Sequence, residues 1–375
     1  MQLEQHTWFP EGDWSQRPHL TNAQLVLVFG RRLDLADDAW RAETRARWPK
    51  AEIVGCSTAG QIAGTTVFDQ GAVATAIEFE HTPIALATVE TSAAESATAG
   101  KALATELNKP GLVHVLVFSE GLEINGDALV RGLSNGLPSH VTVTGGLSAD
   151  GEAFRETLVL ARGKVCRRAV VGVGLYGDRL RVGYGSLGGW DPFGPERLIT
   201  RAAGNVLYEL DGQSALALYK RYLGDHAKDL PASGLLFPLS LRMSENAAPV
   251  VRTILSVNED DQSMTFAGDV PDGGYVRLMK ANFDRLIDGA VGAGRVSAQA
   301  LANTSADLAL LISCVGRRMV LRQRVEEEVE GVREVVGPSA TLTGFYSYGE
   351  ISPFTPSARC ELHNQTMTVT TLTER

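Results

Sequence analysis

The sequence predicts an α/β protein with mixed β-sheets, made of repeated strand–helix–strand units with added hairpins, in two covalently joined halves. Apolar residues make up 44% of the chain and charged residues 21%, values typical of a soluble globular protein. Strand and helix patterns alternate along 375 residues, a length that favours two or three domains. The same order of segments also occurs three times. This repeat is the main evidence for the fold class.

The first unit begins with "LVLVFG" (25–30), an uninterrupted apolar run typical of a buried strand. A helical segment follows from about Leu35 to Trp48 and ends before Pro49. The next apolar run ends in "IVGCSTAG" (53–60), a cluster of small and hydroxylic residues. These segments predict a strand, a helix and a second strand that ends in a glycine-containing turn.

The second and third units repeat this order. The second unit has "LVHVLVFS" (112–119), a helix over 126–137 and "VTVTGGLSADG" (141–151), and the third has "LALLISC" (308–314), a charged helix near 318–330 and "SATLTGFYSYGEI" (339–351). From the end of the first strand to the turn glycine, the separations are 25 (Gly30 to Gly55), 26 (Ser119 to Gly145) and 30 residues (Cys314 to Gly344). Similar order and spacing indicate three related units.

Further strands are predicted around these units. Residues 72–89 and 168–185 each predict two strands joined by a short polar turn, and 363–372 predict one strand. The stretch 185–196 is rich in glycine, proline and aromatic residues and predicts a boundary near 188–196. Beyond it, the patterns predict two strands (197–212), a helix (214–224), a hairpin (249–271), and a loop followed by a helix (275–294). Residues 1–21 are interpreted as an N-terminal arm with solvated His6 and His19, and 356–375 as a C-terminal strand and tail.

Charge and cysteine content exclude several classes of function. The net charge is −9 and the pI is about 5.4, which argues against a nucleic-acid partner. The N-terminus shows no signal peptide, and no apolar run approaches the roughly 18 residues of a membrane-spanning helix. The four cysteines have no paired spacing typical of disulfides or zinc. We therefore expect a cytoplasmic protein with no membrane contact.

The three strand-end turns form the candidate ligand site. Ligands of α/β sheets bind beyond the carboxyl ends of strands, and glycines let the backbone approach them closely. Alternatively, such turns simply end strands, and their hydroxyl groups satisfy local backbone groups. If the three turns line one pocket, its residues are Gly55, Cys56, Ser57, Thr58, Gly145, Gly146, Ser148, Tyr346, Tyr348, Gly349 and Glu350.

Two residues suggest more specific chemistry. Cys56 is a candidate nucleophile if a base lowers the pKa of its thiol, although no histidine is near it in sequence. His226 follows a helix near Tyr219 and Tyr222, so it is a candidate axial ligand for haem. The alternatives are a buried inert cysteine and an ordinary histidine.

The motifs "IVGCSTAGQI", "TGGLSADG" and "GFYSYGEI…HNQTMTV", in that order, closely resemble the FIST family. The resemblance covers nearly the whole chain: residues 22–190 resemble the FIST N-terminal domain and 197–355 the FIST C-terminal domain. It implies a sensory module for small ligands, with amino acids proposed. The stretches "VGLYGDRLRVGYGSLGGWDPFGPER" and "NVLYELDGQSALALYKRYLGDHA" resemble stand-alone bacterial members that bind haem and sense nitric oxide.

The resemblance implies a non-enzymatic, cytoplasmic sensor. Such a sensor relays its signal to a separate partner, a histidine kinase or a cyclic-nucleotide signalling protein. Haem with nitric oxide and a free amino acid are the alternative ligands, and the resemblance identifies no haem-ligating residue. An alternative of another class is a hydrolase or transferase that uses Cys56. A third is a purely structural interaction module.

Overall fold

The computed structural model describes residues 1–12, 14–244, 249–302, 304–354 and 358–375. It confirms the predicted fold class, because mixed sheets are built from three strand–helix–strand units with added hairpins. Three sheets form the main body of the molecule, which we call the core. A fourth sheet belongs to residues 191–280, which we call the inserted domain.

Each core sheet has six strands among the described residues. The first sheet has the spatial order β1 (Gln2–Trp8), β6 (Ala72–Glu78), β2 (Leu25–Gly30), β3 (Glu52–Ser57), β10 (Val159–Ala161) and β11 (Lys164–Cys166). The second sheet has the order β25 (Cys360–His363), β24 (Gly349–Pro353), β9 (Thr142–Leu147), β8 (Leu112–Ser119), β12 (Ala169–Tyr176) and β7 (Ile84–Glu90). The third has the order β13 (Leu180–Leu187), β26 (Met367–Glu374), β22 (Leu308–Cys314), β23 (Thr341–Ser347), β4 (Gln61–Ala63) and β5 (Thr66–Phe68).

The helices connect these strands. They are α1 (Arg32–Leu35), α2 (Asp38–Arg47), α3 (Ser96–Leu107), α4 (Gly126–Gly136), α5 (Ala215–Leu223), α6 (Phe283–Gln299), α7 (Val315–Leu321) and α8 (Val325–Val336). Asp37 and Asn125 cap α2 and α4, since their side chains accept hydrogen bonds from the backbone N–H groups of Trp40 and Ala128. In the described part of the chain, no helix is long and apolar enough to cross a membrane.

The three core sheets repeat one pattern of pairing. In each unit the first strand pairs in parallel with the second, as β2 does with β3, β8 with β9 and β22 with β23. These strands are almost entirely buried and rich in Val, Leu and Ile, as expected for parallel strands covered on both faces. The hairpin that follows each second strand pairs with another unit's sheet. This cyclic exchange joins the three units into one body.

The two predicted strands in each of the segments 72–89 and 168–185 are confirmed, but they do not pair with each other as a hairpin. Both segments form two strands, but β6 pairs with β1 and β2, whereas β7 pairs with β12. Likewise, β12 pairs with β7 and β8, whereas β13 pairs with β26. The short turns therefore carry the chain from one sheet to the next. The first strand, β1, also lies in the predicted N-terminal arm and buries His6, which is 1% exposed.

Aromatic packing joins the three sheets at their centre. The rings of Phe29, Phe118 and Phe345, one from each sheet, lie 4.7–6.2 Å apart between centroids. All three side chains are fully buried. Burial of a phenylalanine side chain stabilises a fold by roughly 1.5–3 kcal/mol. The turns of the three units are consequently held beside one another.

The inserted domain has its own sheet and hydrophobic core. Its strands are β14 (Asp191–Ala203), β15 (Val206–Leu210), β16 (Gln213–Ser214), β17 (Leu239–Arg242), β18 (Val250–Arg252), β19 (Ile254–Asn258), β20 (Ser263–Phe266) and β21 (Tyr275–Lys280). Residues 275–280 are a strand where the sequence predicts a loop. Tyr219 of α5 and Phe266 of β20 are buried in a cluster separate from those of the core.

Buried polar contacts and apolar packing join the inserted domain to the core. Both oxygens of the Asp127 carboxylate accept hydrogen bonds from Nη2 of Arg252 at 3.1 Å, and Nη1 of Arg252 donates to the carbonyl oxygen of Leu362 at 2.9 Å. The chain enters the domain through Gly189, where an added Cβ would lie 2.0 Å from the carbonyl oxygen of Arg285. The two bodies are thus joined by short connections, by the Asp127–Arg252 ion pair and by a buried apolar cluster. In this cluster Met279 of the inserted domain packs with Leu286 and Leu321 of the core.

Candidate ligand-binding site

The three turns occupy equivalent positions in their units. Gly55 and Gly145 pair with Val28 and Val117 on the neighbouring parallel strands. A Cβ at Gly55 would lie 1.7 Å from the carbonyl oxygen of Val28, and one at Gly145 would lie 1.9 Å from that of Val117. These two glycines therefore allow neighbouring backbones to approach each other.

A ring of backbone hydrogen bonds connects the three turns. The N–H of Ala59 donates to the carbonyl oxygen of Tyr346 at 2.8 Å, and that of Ala149 to Ser57 at 2.8 Å. The N–H of Tyr348 donates to the carbonyl oxygen of Leu147 at 3.4 Å. Each turn therefore contacts the other two. The residues singled out in the sequence lie together at the centre of the core.

Most of these residues are enclosed by protein. Gly146 faces Ile312 and Phe345, where a Cβ would lie 2.8 Å from Ile312 Cγ2. Gly349 is buried and pairs with Leu147 in the second sheet. The Oγ of Ser57 accepts a hydrogen bond from the N–H of Leu158 at 2.9 Å. These positions are occupied by packing and local hydrogen bonds.

In each unit a hydroxyl residue lies three positions after the turn glycine. These residues are Thr58, Ser148 and Ser347. The Oγ1 of Thr58 lies 3.0 Å from Oε1 of Gln61, three residues later. The Oγ of Ser347 donates to Oε1 of Glu350 at 2.7 Å, again three residues later. In the second turn, the residue three positions after Ser148 is Gly151, which has no side chain to accept a hydrogen bond. The Oγ of Ser148 has no partner among the described atoms. Glu350 is therefore the structural counterpart of Gln61.

Glu350 is a fully buried carboxyl group with neutral hydrogen-bond donors. Thr366 donates to Oε2 of Glu350 from its Oγ1 at 2.9 Å and from its N–H at 3.2 Å. Burial raises the pKa of Glu350 to about 8, although the hydrogen bonds from Ser347 and Thr366 and the charge of Arg317 act in the opposite direction. The carboxyl group is therefore mainly protonated at neutral pH.

Tyr346 belongs to a buried ionic network. Its Oη donates to Oε1 of Glu328 at 2.8 Å, and Arg317 donates to Oε2 of the same carboxylate at 2.7 Å and 3.1 Å. Arg317 and Glu328 are both fully buried. Burial and the charge of Glu328 raise the pKa of the Tyr346 phenol well above its usual value. This network joins α7 and α8 to β23 and has a structural role.

Tyr348 leads from the turns to a cavity. Its ring stacks on Phe154 with centroids 4.5 Å apart and planes 9° apart, and its Oη bonds to the carboxylate of Asp150. The cavity has a volume of about 200 Å³. Its core-side lining includes Leu147, the last residue of β9, and Gly121 and Leu122, which follow the carboxyl end of β8. This is the region where α/β sheets usually bind ligands.

The inserted domain forms the opposite wall of this cavity. Asn205, Leu255 and Phe266 line it from that side, together with Ala267 and Gly268. The core side adds Glu123 and Asn125. The cavity thus combines aromatic and aliphatic walls with a few polar side chains, a composition typical of small-molecule sites. A ligand here contacts both bodies at once.

Cys56 does not have the surroundings of a catalytic nucleophile. Its side chain is fully buried, and burial raises the pKa of its thiol well above the usual value. A reactive cysteine needs a lowered thiol pKa and partial exposure. The Cys56 environment is that of a packed core residue.

His226 does not have the surroundings of a haem ligand. Its side chain is exposed, with its ring centroid 5.3 Å from that of Phe237. An axial histidine faces an enclosed apolar pocket, so the residues around His226 do not fit haem. The buried His114 bonds through both ring nitrogens to Thr142 and Thr144, and burial lowers its pKa to about 3. Within the described ranges, no group of three or more His, Cys, Asp or Glu side chains is placed to hold a metal ion.

Several residues near the turns were not predicted from the sequence. Asn364, Gln365 and Thr366 form the loop between β25 and β26 and are buried against the turns and the inserted domain. Arg252 is equally buried. The motif "HNQTMTV" contributes to the resemblance, but its pattern predicts one strand over 363–372, whereas residues 364–366 form a loop.

The chain belongs to the FIST family. The FIST N domain matches residues 24–213 and the FIST C domain matches residues 215–353. Both matched ranges contribute strands to the same core sheets, since β4 of the first pairs with β23 of the second. FIST domains are associated with signal-transduction sensing of small ligands.

More distant similarities add little about function. An uncharacterized protein of Methanocaldococcus jannaschii is 26% identical over 164 residues, or 39% of this chain. The chain spans only about a third (31%) of the length of that curated relative. A crystal structure of cyanuric acid hydrolase from A. caulinodans has 13% identity and a TM-score of 0.19, over 78% of this chain and 99% of that one. A likeness of this size supports no statement about the present chain.

Proposed function

We propose that this FIST protein is a non-enzymatic, cytoplasmic sensor of a small ligand. The ligand binds in the cavity between the third turn and the inserted domain, and its binding changes how the two bodies dock. The observation that carries the proposal is the double lining of the cavity, with Tyr348 and Leu147 on the core side and Asn205 and Phe266 on the other. The signal then passes to a separate protein, such as a histidine kinase or a cyclic-nucleotide signalling protein.

The cavity suits a ligand of amino-acid size. Its volume of about 200 Å³ is below the roughly 300–1,000 Å³ of pockets that bind drug-sized ligands. Haem is larger than those ligands, so the cavity does not suit it. Phe154, Tyr348 and Phe266 offer aromatic surface for an apolar side chain. Asn125 and Asn205 offer amide groups for a polar head group. An amino acid is therefore our preferred ligand class.

The double lining provides a route for signalling. A ligand shifts a conformational equilibrium only by its difference in affinity between the two states. A ligand that touches the core and the inserted domain keeps all of its contacts in the docked arrangement alone. Binding in the cavity therefore favours docking. The Asp127–Arg252 ion pair, which joins the two bodies, lies beside Gly268 in the cavity wall.

The experiment is a thermal-shift screen of the common amino acids, followed by calorimetric titration of each hit. Phe154→Ala removes half of the aromatic stack, and Phe193→Ala is the matched control because both phenylalanines are 36% exposed and Phe193 lies outside the cavity. A stacked aromatic pair contributes about 0.5–1.5 kcal/mol, so we expect up to roughly tenfold weaker binding in Phe154→Ala.

Four outcomes contradict the proposal. In the first, no amino acid raises the melting temperature. In the second, a hit binds equally well to Phe154→Ala and the parent chain. Equal weakening by Phe193→Ala would also place the ligand elsewhere. Turnover of any hit, detected as a new product after incubation, would contradict the non-enzymatic part of the proposal.

A further inference from the structure

The loop Asn364–Thr366 forms a polar floor beneath the inserted domain. Asn364 is 1% exposed and Gln365 is fully buried. Nε2 of Gln365 donates to Oγ1 of Thr253, in the inserted domain, at 3.0 Å. The carbonyl oxygen of Gln365 accepts a hydrogen bond from Nε1 of Trp190 at 2.8 Å. The inserted domain therefore covers this floor directly.

Two acceptors on this floor have no hydrogen-bond donor among the described atoms. Nδ2 of Asn364 donates to the carbonyl oxygen of Tyr348 at 3.3 Å, and because a carbonyl can only accept, this contact fixes the orientation of the amide. Oδ1 of Asn364 is then left without a partner, as is Oε1 of Gln365. Buried polar atoms are almost always paired, so two neighbouring exceptions need an explanation.

The carboxyl group of Glu350 is a third acceptor group that contacts the same loop. It is joined to the floor through Thr366 and to the third turn through Ser347. Among the described residues, the groups that donate hydrogen bonds to Glu350 are neutral, and the nearby Arg317, whose charge lowers the pKa of Glu350, is paired with Glu328. Two other titratable groups lie beside Glu350. Burial and the charge of Glu350 raise the pKa of the Cys314 thiol, and His363, the cross-strand partner of Glu350, bonds through Nε2 to the carbonyl oxygen of Ser352. In the described part of the chain, no cationic side chain donates a hydrogen bond to the Glu350 carboxyl group or to the two unpaired amide oxygens.

We propose that Asn364, Gln365 and Glu350 form a subsite for a small organic cation with several N–H donors, a primary ammonium or a guanidinium group. The inference rests on the proposed function in one respect: the cation enters when the inserted domain lifts from Gln365. Its N–H groups pair with Oδ1 of Asn364 and Oε1 of Gln365, and its charge is balanced by the Glu350 carboxylate. Tyr348 links this subsite to the cavity, because its ring lines the cavity and its carbonyl holds Asn364.

Ion-pair formation at this subsite has a proton balance that can be measured. The pKa of Glu350 is about 8 without a cation, so most of the carboxyl groups carry a proton at pH 7. A bound ammonium or guanidinium group favours the ionised form, and the proton leaves to the buffer. Binding at pH 7 therefore releases close to one proton per chain.

The test uses ethylammonium chloride and methylguanidinium chloride as probes, with propionamide as the neutral probe and sodium chloride as the salt control. Binding is measured by thermal shift and by calorimetry in phosphate and in Tris at pH 7. We expect saturable binding of at least one cation and no comparable binding of propionamide. The released proton is taken up by the buffer. The binding heats measured in Tris and in phosphate should therefore differ by close to the difference between the ionisation enthalpies of these two buffers.

Substitutions locate the subsite. Gln365→Met keeps the length of the side chain and removes its amide, and Gln299→Met is the matched control on the exposed face of α6. We expect at least tenfold weaker cation binding in Gln365→Met and unchanged binding in Gln299→Met. Glu350→Gln should abolish the proton release. A preference between the two cations identifies which group the subsite accepts.

Several results overturn the inference. They are the absence of saturable binding by either cation, equal binding of propionamide, or cation affinity that Gln365→Met leaves unchanged. If cations fail while an amino acid still binds in a manner that depends on Phe154, the cation subsite is wrong and the proposed function stands. If cations bind and no amino acid or other cavity ligand does, the cation subsite stands and the proposed function is wrong.

Discussion

Replacing Glu350 with glutamine should change how the stability of the protein depends on pH. Gln61 already occupies the equivalent place in the first unit, which indicates that an amide fits this position. In Glu350→Gln, the side-chain oxygen accepts from Thr366 and the new NH₂ group donates to the Oγ of Ser347. The substitution therefore removes a titratable group while keeping its hydrogen bonds.

The magnitude follows from the pKa of Glu350, which is 4.5 for an ordinary glutamate and about 8 in the fold. Below pH 4.5 both folded and unfolded states hold the proton, so the full stabilisation is present. Between pH 4.5 and 8 the unfolded state loses its proton first, and the free energy of unfolding falls by about 1.4 kcal/mol per pH unit. The total loss is about 5 kcal/mol and is complete above pH 8.

The assay is urea unfolding of the parent chain and Glu350→Gln at intervals from pH 5 to pH 9. The free energy of unfolding of the parent minus that of the variant should fall by about 3 kcal/mol from pH 5 to pH 7 and level off above pH 8. Glu361→Gln is the control, because Glu361 is exposed on the neighbouring strand and its difference curve should stay flat. Parallel curves for the parent and Glu350→Gln would refute the reasoning.

Three further predictions concern other parts of the molecule. Asp127→Asn should leave Arg252 as an uncompensated buried charge and destabilise docking by about 3–5 kcal/mol. We expect faster hydrogen exchange in residues 250–270 and little change in the first sheet. Unchanged exchange in residues 250–270 would contradict this prediction. Cys166, which is partly exposed, should react with a thiol reagent in the native protein, whereas Cys56 and Cys314 should react only on unfolding, and rapid native labelling of Cys56 would disprove its assigned burial. Protein supplied with haem should show no Soret band that depends on His226, because that side chain is exposed; loss of such a band in His226→Ala, with retention in His140→Ala, would restore the haem hypothesis.

The repeated units were predictable because their signals are local. Apolar runs such as 25–30 and 112–119 are buried strands wherever they pair, and the glycine turns mark where those strands end. Strand pairing was less predictable. Residues 72–89 look like a hairpin, yet β6 and β7 lie in different sheets because the three units close around a common centre. That closure depends on segments far apart in sequence.

The site was predictable only in part for the same reason. The order of the three units was enough to single out the turns, which the ring of backbone hydrogen bonds brings together. Gly55 and Gly145 look like ligand-approach positions in sequence, but the space beside them is filled by neighbouring strands. Asn364 and Gln365 fall within the strand predicted over 363–372, but they lie in a buried loop, where Gln365 bonds to Thr253, more than a hundred residues earlier. No local pattern reports such a contact.

The central claim is that a ligand in the cavity changes the position of the inserted domain relative to the core. The direct measurement is the distance between spin labels at Lys101→Cys on α3 and Asp260→Cys in the turn after β19, both exposed, with Cys166 and Cys360 replaced by serine. We predict a broad distance distribution without ligand that narrows to the docked distance at saturating ligand, and no such change in Phe154→Ala. An identical distribution with and without a ligand that calorimetry shows to be bound would contradict the account.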